Sequence, residues 1–170
     1  MPEMPRSSSP LGAFGALAKA AHDMARTVLI VDDSGLMRSL IRSALESLRP
    51  GRFDIVEAAS AWDGLTALSA HPVELLVTDF VMPTMNGSEF VQRVRQHAHE
   101  AIRNVPIIML SSSVEARQKA RTQPSGLVAF IAKPFRPAEL VDLVDGVLGS
   151  TSLRPGRPEP PTETGRPRGE

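Results

Sequence analysis

The stretch "TVLIVDDSGLMR", residues 27–38, joins an apolar run to a helical pattern through two adjacent acidic residues, Asp32 and Asp33. Two carboxylates about 4 Å apart repel each other by roughly 4 kcal/mol at an effective dielectric constant near 20. We expect no neighbouring Lys, Arg or Cys/His ligand set to offset that repulsion. The acidic pair therefore calls for a partner elsewhere in the chain, or for a bound cation.

Short apolar runs like the one before Asp32 recur along the chain, at 27–31, 54–58, 74–78, 106–110 and 127–132. Near-continuous apolar runs of this length are typical of strands that are buried on both faces of a parallel sheet. Helical patterns separate the runs, and they predict helices after the acidic pair and over 61–70, 87–99, 113–121 and 137–148. This alternation predicts an α/β fold with a doubly wound parallel sheet of five strands.

The apolar stripes of the first and last helices predict which of their faces are buried. The first helix is expected to end at Pro50-Gly51 and to bury one face, formed by Leu36, Leu40, Ala44, Leu45 and Leu48. The last helix is expected to begin near Pro137 and to bury Leu140, Val141, Val144, Val147 and Leu148.

Composition restricts the class of protein. The chain has 170 residues, no net charge and no cysteine, so disulfide scaffolds, thiolate metal sites and bulk attraction to nucleic acid are not expected. No apolar run approaches the roughly 18 residues of a membrane span, so membrane insertion is not expected. We expect one domain over 26–149, preceded by a flexible extension (1–25) and followed by a disordered Pro/Gly/Arg-rich tail (150–170).

Chemistry-bearing residues stand where the predicted strands end. Asp32 and Asp33 follow the first strand, Asp79 the third, Ser111 the fourth and Lys133 the fifth. Right-handed crossovers place the carboxyl ends of parallel strands at one edge of the sheet, so these side chains are expected to converge. A carboxylate cluster with open positions suits Mg²⁺, and a lysine and a hydroxyl opposite it could hold phosphoryl oxygens.

Four motifs in this order resemble a response-regulator receiver domain over about residues 26–149: "VLIVDDS", "VTDFVMPTMNG" (77–87), "PIIMLSSS" (106–113) and "AFIAKPF" (129–135). The resemblance implies the strand order 2-1-3-4-5 and a cytoplasmic role in two-component signal transduction. It implies a regulatory domain that catalyses only its own phosphorylation and dephosphorylation. The residues of "VDDSGLMR" are closer to those of the chemotaxis type than to those of other single-domain relays. No DNA-binding output domain is evident.

The resemblance also implies the roles of the site residues. Asp79 would accept a phosphoryl group from a phosphohistidine of a sensor histidine kinase or a histidine phosphotransfer protein. Asp33, Asp79 and the backbone carbonyl of Val81 would bind Mg²⁺ directly, and Asp32 would bind it through a water. Lys133 would pair first with Asp79 and then with the phosphoryl oxygens.

Further residues would carry the switch. The Ser111 hydroxyl would move onto the phosphoryl group, and the Ser112 backbone would contact it. Phe130 would change rotamer and alter the surface formed by the fourth predicted helix (113–121), the fifth strand and the fifth helix, where a downstream protein binds. The Lys133–Pro134 peptide bond is often cis in this family.

Two positions next to the site predict slow loss of the phosphate. In relatives that hydrolyse it quickly, the positions two residues after the acceptor and two after the hydroxyl often hold amide or acid side chains that orient a water. Here Val81 and Ser113 stand there, so we expect self-dephosphorylation to take minutes or longer.

Other classes fit less well. A haloacid-dehalogenase-type phosphatase needs a second aspartate at the position of Val81, and a dinucleotide-binding enzyme needs a glycine pattern that "DDSGLM" lacks. His97 and His99 would lie on different faces of the helix predicted over 87–99, as a solvated pair. The alternative that stays open is a receiver-like adaptor that binds its partner regardless of phosphorylation.

Overall fold

The five apolar runs form one parallel sheet in the computed structural model of the chain, which describes residues 25–112 and 127–151. The sheet has the order β2-β1-β3-β4-β5, so the predicted fold class and strand order are confirmed. Each strand lies within one residue of the predicted run. The strands are β1 (Arg26–Val31), β2 (Phe53–Ala58), β3 (Leu75–Asp79), β4 (Ile107–Ser111) and β5 (Leu127–Ala132).

Helices cover both faces of the sheet, because successive side chains of each strand point to opposite faces. The described helices are α1 (Gly35–Leu48), α2 (Ala61–Ala70), α3 (Gly87–Arg95), the short α4 (Glu100–Arg103) and α5 (Pro137–Thr151). One core contains Val28 and Ile30 of β1 together with α1 and α5. The other contains Leu29 and Val31 together with α2 and α3.

Polar caps fix where three of the helices begin. Ser34 caps α1 by accepting a hydrogen bond from the Met37 N–H, and Ser60 caps α2 in the same way. Asn86 and Glu89 form a reciprocal capping box at the start of α3. Each cap satisfies backbone N–H groups that have no partner within the helix, so the chain turns sharply at the carboxyl edge of the sheet.

The buried face predicted for α1 is wrong in part. Ala44 and Leu45 are buried as expected, but Leu36 is 81% exposed, and Leu40 and Leu48 are more than two-fifths exposed. Ile41 takes their place in the core. Apolar residues cover about half of this helix, and the part of that stripe around Ile41 packs on the core while its margin at Leu36 stays exposed. The stripe is wider than the buried face, so the sequence alone does not fix which part of it is buried. The stripe predicted for α5 is buried throughout.

The helix predicted over 87–99 ends early. The structure ends α3 at Arg95, where the Gln96 N–H is shared between the carbonyls of Gln92 and Arg93 and tightens the last turn. His97 and His99 follow in a turn, and their rings stack with centroids 5.9 Å apart, so the expectation that they point apart is wrong. The His97 Nδ1 accepts a hydrogen bond from the His99 N–H.

Other predictions fall partly outside the described residues. The helix predicted over 113–121, most of the N-terminal extension and residues 152–170 of the predicted tail lie there, whereas α5 runs to Thr151. Within 25–112 and 127–151, no helix combines the length and apolar character needed to cross a membrane.

Candidate functional site

The register of the sheet brings the acidic strand ends together. The β1–β3 ladder pairs Val31 with Thr78, so the next residues along each strand, Asp32 and Asp79, end two neighbouring strands side by side. Both side chains are buried, and Asp32 is only 1% exposed. The parallel arrangement therefore converts a separation of 47 residues in sequence into direct proximity in space.

Three carboxylates meet at this edge of the sheet. One carboxylate oxygen from each of Asp32, Asp33 and Asp79 lies within 4.8 Å of the others. Asp33 is exposed, whereas the other two are buried. The cluster is thus open to solvent on the Asp33 side, where a cation or a phosphoryl group could enter.

Lys133 is the cation that the acidic pair lacks in its own segment. Its Nζ lies 3.1 Å from Asp32 Oδ2 and 3.1 Å from Asp79 Oδ1. The Lys133 N–H donates to the Ser111 carbonyl at 2.8 Å, and the Lys133–Pro134 peptide bond is cis. The resemblance implied a contact of Lys133 with Asp79, but the equally close contact with Asp32 was not anticipated.

Backbone N–H groups hold the two buried carboxylates in place. The Ser34 N–H donates to Asp32 Oδ1, and the Phe80 N–H donates to Asp79 Oδ1, each at 2.8 Å. Burial raises the pKa of Asp79 above its ordinary value, and the charge of Asp32 raises it further. Lys133 and the Phe80 N–H act against this rise. Asp79 is therefore a carboxylate whose charge is only partly compensated, as a binding or reacting group requires.

The loop from β3 to α3 is packed tightly against Asp79. A Cβ on Gly87 would lie 2.8 Å from the Phe80 Cα and closer still to the Asp79 carbonyl oxygen. Only glycine allows this approach, which keeps the start of α3 next to the end of β3. In the same loop Thr84 adopts a positive φ of 66°, an unusual conformation for a β-branched residue.

The remaining predicted residues surround the cluster at different depths. Ser111 ends β4 and is fully buried, Ser112 follows it at the exposed rim, and Val81 is 59% exposed. Phe130 is half-buried next to Met109 and packs against the core under α2 and α3. Ser113 lies outside the described residues.

Sequence reasoning overlooked Arg38, which lies within the stretch 27–38. Its Nη1 donates to the backbone carbonyl of Asp32 at 2.7 Å, and its Nε donates to Glu57 on β2 at 3.2 Å. Arg38 stands on the first turn of α1, six residues after Asp32, so a basic residue just behind an acidic pair was the available signal. Arg38 binds the backbone carbonyl of Asp32 and not a carboxylate, so it does not neutralise the charge of the acidic pair.

The donor set fits a hard divalent cation. Three carboxylate oxygens within 4.8 Å supply the ligand type that Mg²⁺ prefers, and the exposed Asp33 side leaves room for waters. Lys133 occupies the buried side of the cluster, so it does not block that entrance. Within the described part of the chain, Asp32, Asp33 and Asp79 form the group of three side chains that could hold a metal ion.

Comparison with known proteins agrees with this geometry. Residues 28–145 match the response regulator receiver domain family. The chain is a response-regulator receiver domain. It is 38% identical over 128 residues to a chemotaxis protein CheY homolog of Campylobacter jejuni, with 74% of this chain and 94% of the relative covered. It is 35% identical over 126 residues to the chemotaxis protein CheY1 of Helicobacter pylori, with 72% and 97% covered.

Solved structures give the same result for the receiver domain. The chemotaxis response regulator CheY4 of Vibrio cholerae superposes with a TM-score of 0.64 at 27% identity, covering 72% of this chain and 98% of CheY4. A receiver domain of this kind is a regulatory module of two-component signalling and not a conventional enzyme. The receiver fold accounts for the cluster at the carboxyl edge, where doubly wound sheets bind their ligands.

Proposed function

We propose that this receiver domain accepts a phosphoryl group on Asp79 from a phosphohistidine, in a Mg²⁺-dependent reaction, and thereby switches a protein-binding surface. The observation that carries the proposal is the position of Lys133, whose ammonium lies 3.1 Å from both Asp32 and Asp79 within a cluster of three carboxylates. If Lys133 had only a structural role, one carboxylate would be enough to pair with its charge. A site with an excess of two carboxylates is suited to recruit a cation and a phosphoryl group together.

Asp79 is the nucleophile in this proposal. Its carboxylate oxygen attacks the phosphorus atom, the P–N bond of the donor breaks, and the donor imidazole leaves with the bonding electrons. The Phe80 N–H, which donates to Asp79 Oδ1, and Lys133 hold the carboxylate in position for this attack. The buried Ser111 hydroxyl and the Ser112 backbone would contact the phosphoryl oxygens.

The ligands proposed for Mg²⁺ are Asp33, Asp79 and the Val81 carbonyl directly, and Asp32 through a water. Bound there, Mg²⁺ would neutralise charge on the phosphoryl oxygens during transfer. Asp32 accepts hydrogen bonds from the Ser34 N–H and Lys133, so its two oxygens are already engaged by the protein. That engagement supports an indirect role for Asp32 and a direct one for the exposed Asp33.

Intact-mass spectrometry with a phosphorylated histidine phosphotransfer protein as donor tests the proposal. The full chain should gain the mass of one phosphoryl group when Mg²⁺ is present and none when the metal is chelated. Asp79→Asn should gain none under either condition, whereas Asp63→Asn, a change at an exposed aspartate on α2, should behave as the parent chain does. Phosphorylation of the Asp79→Asn variant would overturn the proposal.

The output proposed is a protein contact in the cytoplasm, through the surface that contains β5 and α5, together with the helix predicted over 113–121, which lies outside the described residues. The relatives from Campylobacter jejuni and Helicobacter pylori are chemotaxis proteins, which supports a partner of that class. Phe130, half-buried on β5, would change rotamer to pass on the state of Asp79. Beryllofluoride with Mg²⁺ should change the affinity for that partner, and an unchanged affinity would instead favour the constitutive adaptor.

Slow self-dephosphorylation is part of the proposal. The exposed side chain of Val81 lies two residues after the acceptor and has no group that could orient an attacking water. The phosphorylated chain should therefore lose its phosphate over minutes or longer without a phosphatase, and Val81→Asn should shorten that time. A loss within seconds from the parent chain would contradict this part.

A further inference from the structure

The backbone carbonyl of Asp32 has a side-chain partner that the ladder of β1 does not supply. β1 pairs with β2 as far as Val31 and Ala58, and the Asp32 N–H still reaches the Ala58 carbonyl at 3.3 Å. The two strands end at Val31 and Ala58. The Asp32 carbonyl accepts from Arg38 Nη1 at 2.7 Å, a short, charge-assisted hydrogen bond.

This carbonyl belongs to the peptide group that links Asp32 to Asp33. Because a peptide group is planar, fixing its oxygen also fixes the orientation of the Asp33 N–H and the direction in which the chain leaves β1. Asp33 is the exposed member of the carboxylate cluster, so neighbouring side chains restrain it less than they restrain Asp32. Its position depends largely on its backbone.

Glu57 holds the Arg38 guanidinium in the orientation that this contact needs. Arg38 Nε donates to Glu57 Oε2 at 3.2 Å, and Arg42 donates to the other oxygen of the same carboxylate. The Arg42 contact lowers the pKa of Glu57, with Arg38 contributing, so Glu57 stays ionised near neutral pH. The charge of Arg38 is thus paired with Glu57 on β2, and the guanidinium does not bind the carboxylates of the cluster.

We propose that Arg38 is a positioning residue for divalent-cation binding: it fixes the Asp32–Asp33 peptide and so sets the Asp33 carboxylate in place. This inference rests on the proposed function, since it concerns the same cation site. Residues that orient metal ligands commonly change metal affinity by about 10- to 100-fold when they are mutated.

The sign of the effect separates positioning from simple electrostatics. Arg38→Met removes a positive charge near a cation site, so charge alone would make Mg²⁺ bind more tightly. Loss of positioning would make it bind more weakly. A weaker affinity in this variant therefore cannot result from the change in charge.

Arg42→Met is the matched control. Arg42 also binds Glu57 from α1, and its Nη2 donates to the Ile55 carbonyl on β2 at 3.2 Å, yet it makes no contact with Asp32 or Asp33. Both substitutions remove one arginine from the same glutamate. Only Arg38→Met removes the hydrogen bond to the Asp32 carbonyl.

Isothermal titration of the full-length chain and the two variants with MgCl₂ tests the inference, alongside thermal unfolding without metal. We expect Arg38→Met to weaken Mg²⁺ binding about tenfold, and Arg42→Met to change it less than about twofold. Equal or tighter binding by Arg38→Met, or equal weakening by both variants, would overturn the role of Arg38.

Two further measurements keep the outcomes distinct. If Arg38→Met does not fold, Arg38→Lys replaces it; the ammonium keeps the charge without the guanidinium fork, and about threefold weaker binding is expected. Binding as tight as that of the parent would overturn the role. A parent chain that takes up no Mg²⁺ would overturn the proposed function together with this inference, whereas a parent that binds and an Arg38→Met variant that binds equally overturn the inference alone.

Discussion

At the carboxyl edge of the sheet, the described residues place three carboxylates close together and one ammonium group in contact with two of them, whereas at the amino edge Asp145 and Glu74 have arginine partners. Asp145 on α5 binds both Arg49 and Arg52, at the end of α1 and the start of β2. Glu74 binds Arg26 at 2.7 Å, where β1 begins. The two edges of the sheet thus differ in the balance of their charges.

The charged side chains at the two edges of the sheet also differ in burial. At the amino edge the arginines are one-third to one-half exposed, so water screens their ion pairs and each contributes little to stability. At the carboxyl edge Asp32 and Asp79 are buried, so their repulsion is poorly screened. The acidic residues at the amino edge are thus paired without a ligand, whereas the carboxyl edge has an excess of negative charge that a ligand would compensate.

The largest effect on phosphorylation among these substitutions should come from the acidic pair, in which Asp32 is buried and Asp33 is exposed. Asp33→Ala should reduce Mg²⁺-dependent phosphorylation by at least about 100-fold, because the exposed Asp33 is the proposed direct ligand. Asp32→Ala should reduce it by about tenfold, since Lys133 still contacts Asp79 in that variant. Rates of phosphoryl uptake measure both, and equal losses in the two variants would show that the pair acts as one unit.

Gly87 tests how tightly the carboxyl edge is packed. Gly87→Ala should destabilise the fold by about 1–3 kcal/mol, because the new Cβ would collide with the backbone of Asp79 and Phe80. Gly146→Ala on α5 is the control: nothing lies within 4 Å of its Cβ, and the fold should gain about 0.5–1 kcal/mol from the helix propensity of alanine. Chemical denaturation measures both, and a neutral Gly87→Ala would contradict the close approach.

Asp145 tests the amino edge. Asp145→Asn should cost about 1 kcal/mol of stability and leave phosphorylation unchanged, because two arginines lose their shared carboxylate far from the cluster. Asp142→Asn should cost less than about 0.5 kcal/mol, as its largely exposed carboxylate meets Arg49 only at 3.3 Å. A change in phosphorylation rate in either variant would show that the two edges are coupled.

The pH dependence of stability should reveal the charge imbalance at the carboxyl edge. The pKa of Asp79 is raised in the folded chain, so its ionised form disfavours folding at any pH above its unfolded pKa. Without metal, Asp79→Asn should therefore be more stable than the parent by about 0.5–1 kcal/mol near neutral pH. The gain should shrink as the pH falls and vanish below about pH 4, where Asp79 is protonated in both states.

Unfolding in urea across that pH range, with Mg²⁺ chelated, measures the difference between the two chains. A gain that stays constant with pH would mean that the aspartate destabilises the fold through its shape and not through its charge. Asp63→Asn, at an exposed position on α2, should show no comparable gain.

The strands were predictable because the apolar runs are local in sequence, whereas their order was implied by the resemblance that the motif residues at the strand ends carry. Each run is long enough for one buried strand. The carboxyl ends of parallel strands lie at the same edge of a sheet, so the residues that end or follow the strands, Asp32, Asp79, Ser111 and Lys133, must lie at that edge. The end of α3 was less predictable. Residues 96–99 are compatible with a helix, but the turn satisfies their backbone through Arg103, which donates to the carbonyls of His97 and Ala98.

The sequence by itself determined the strands, the acidic segment, the lysine motif and the stripe of α5, because composition and spacing specify them within a few residues. Only the tertiary structure decided which side of α1 is buried, that Lys133 contacts Asp32 as closely as Asp79, and that Arg38 binds the Asp32 carbonyl. Each of these depends on how elements distant in the chain pack together. Hydrophobic periodicity gives the spacing of a stripe, whereas its rotation, and the partners of a long cationic side chain, follow from the neighbours that folding supplies.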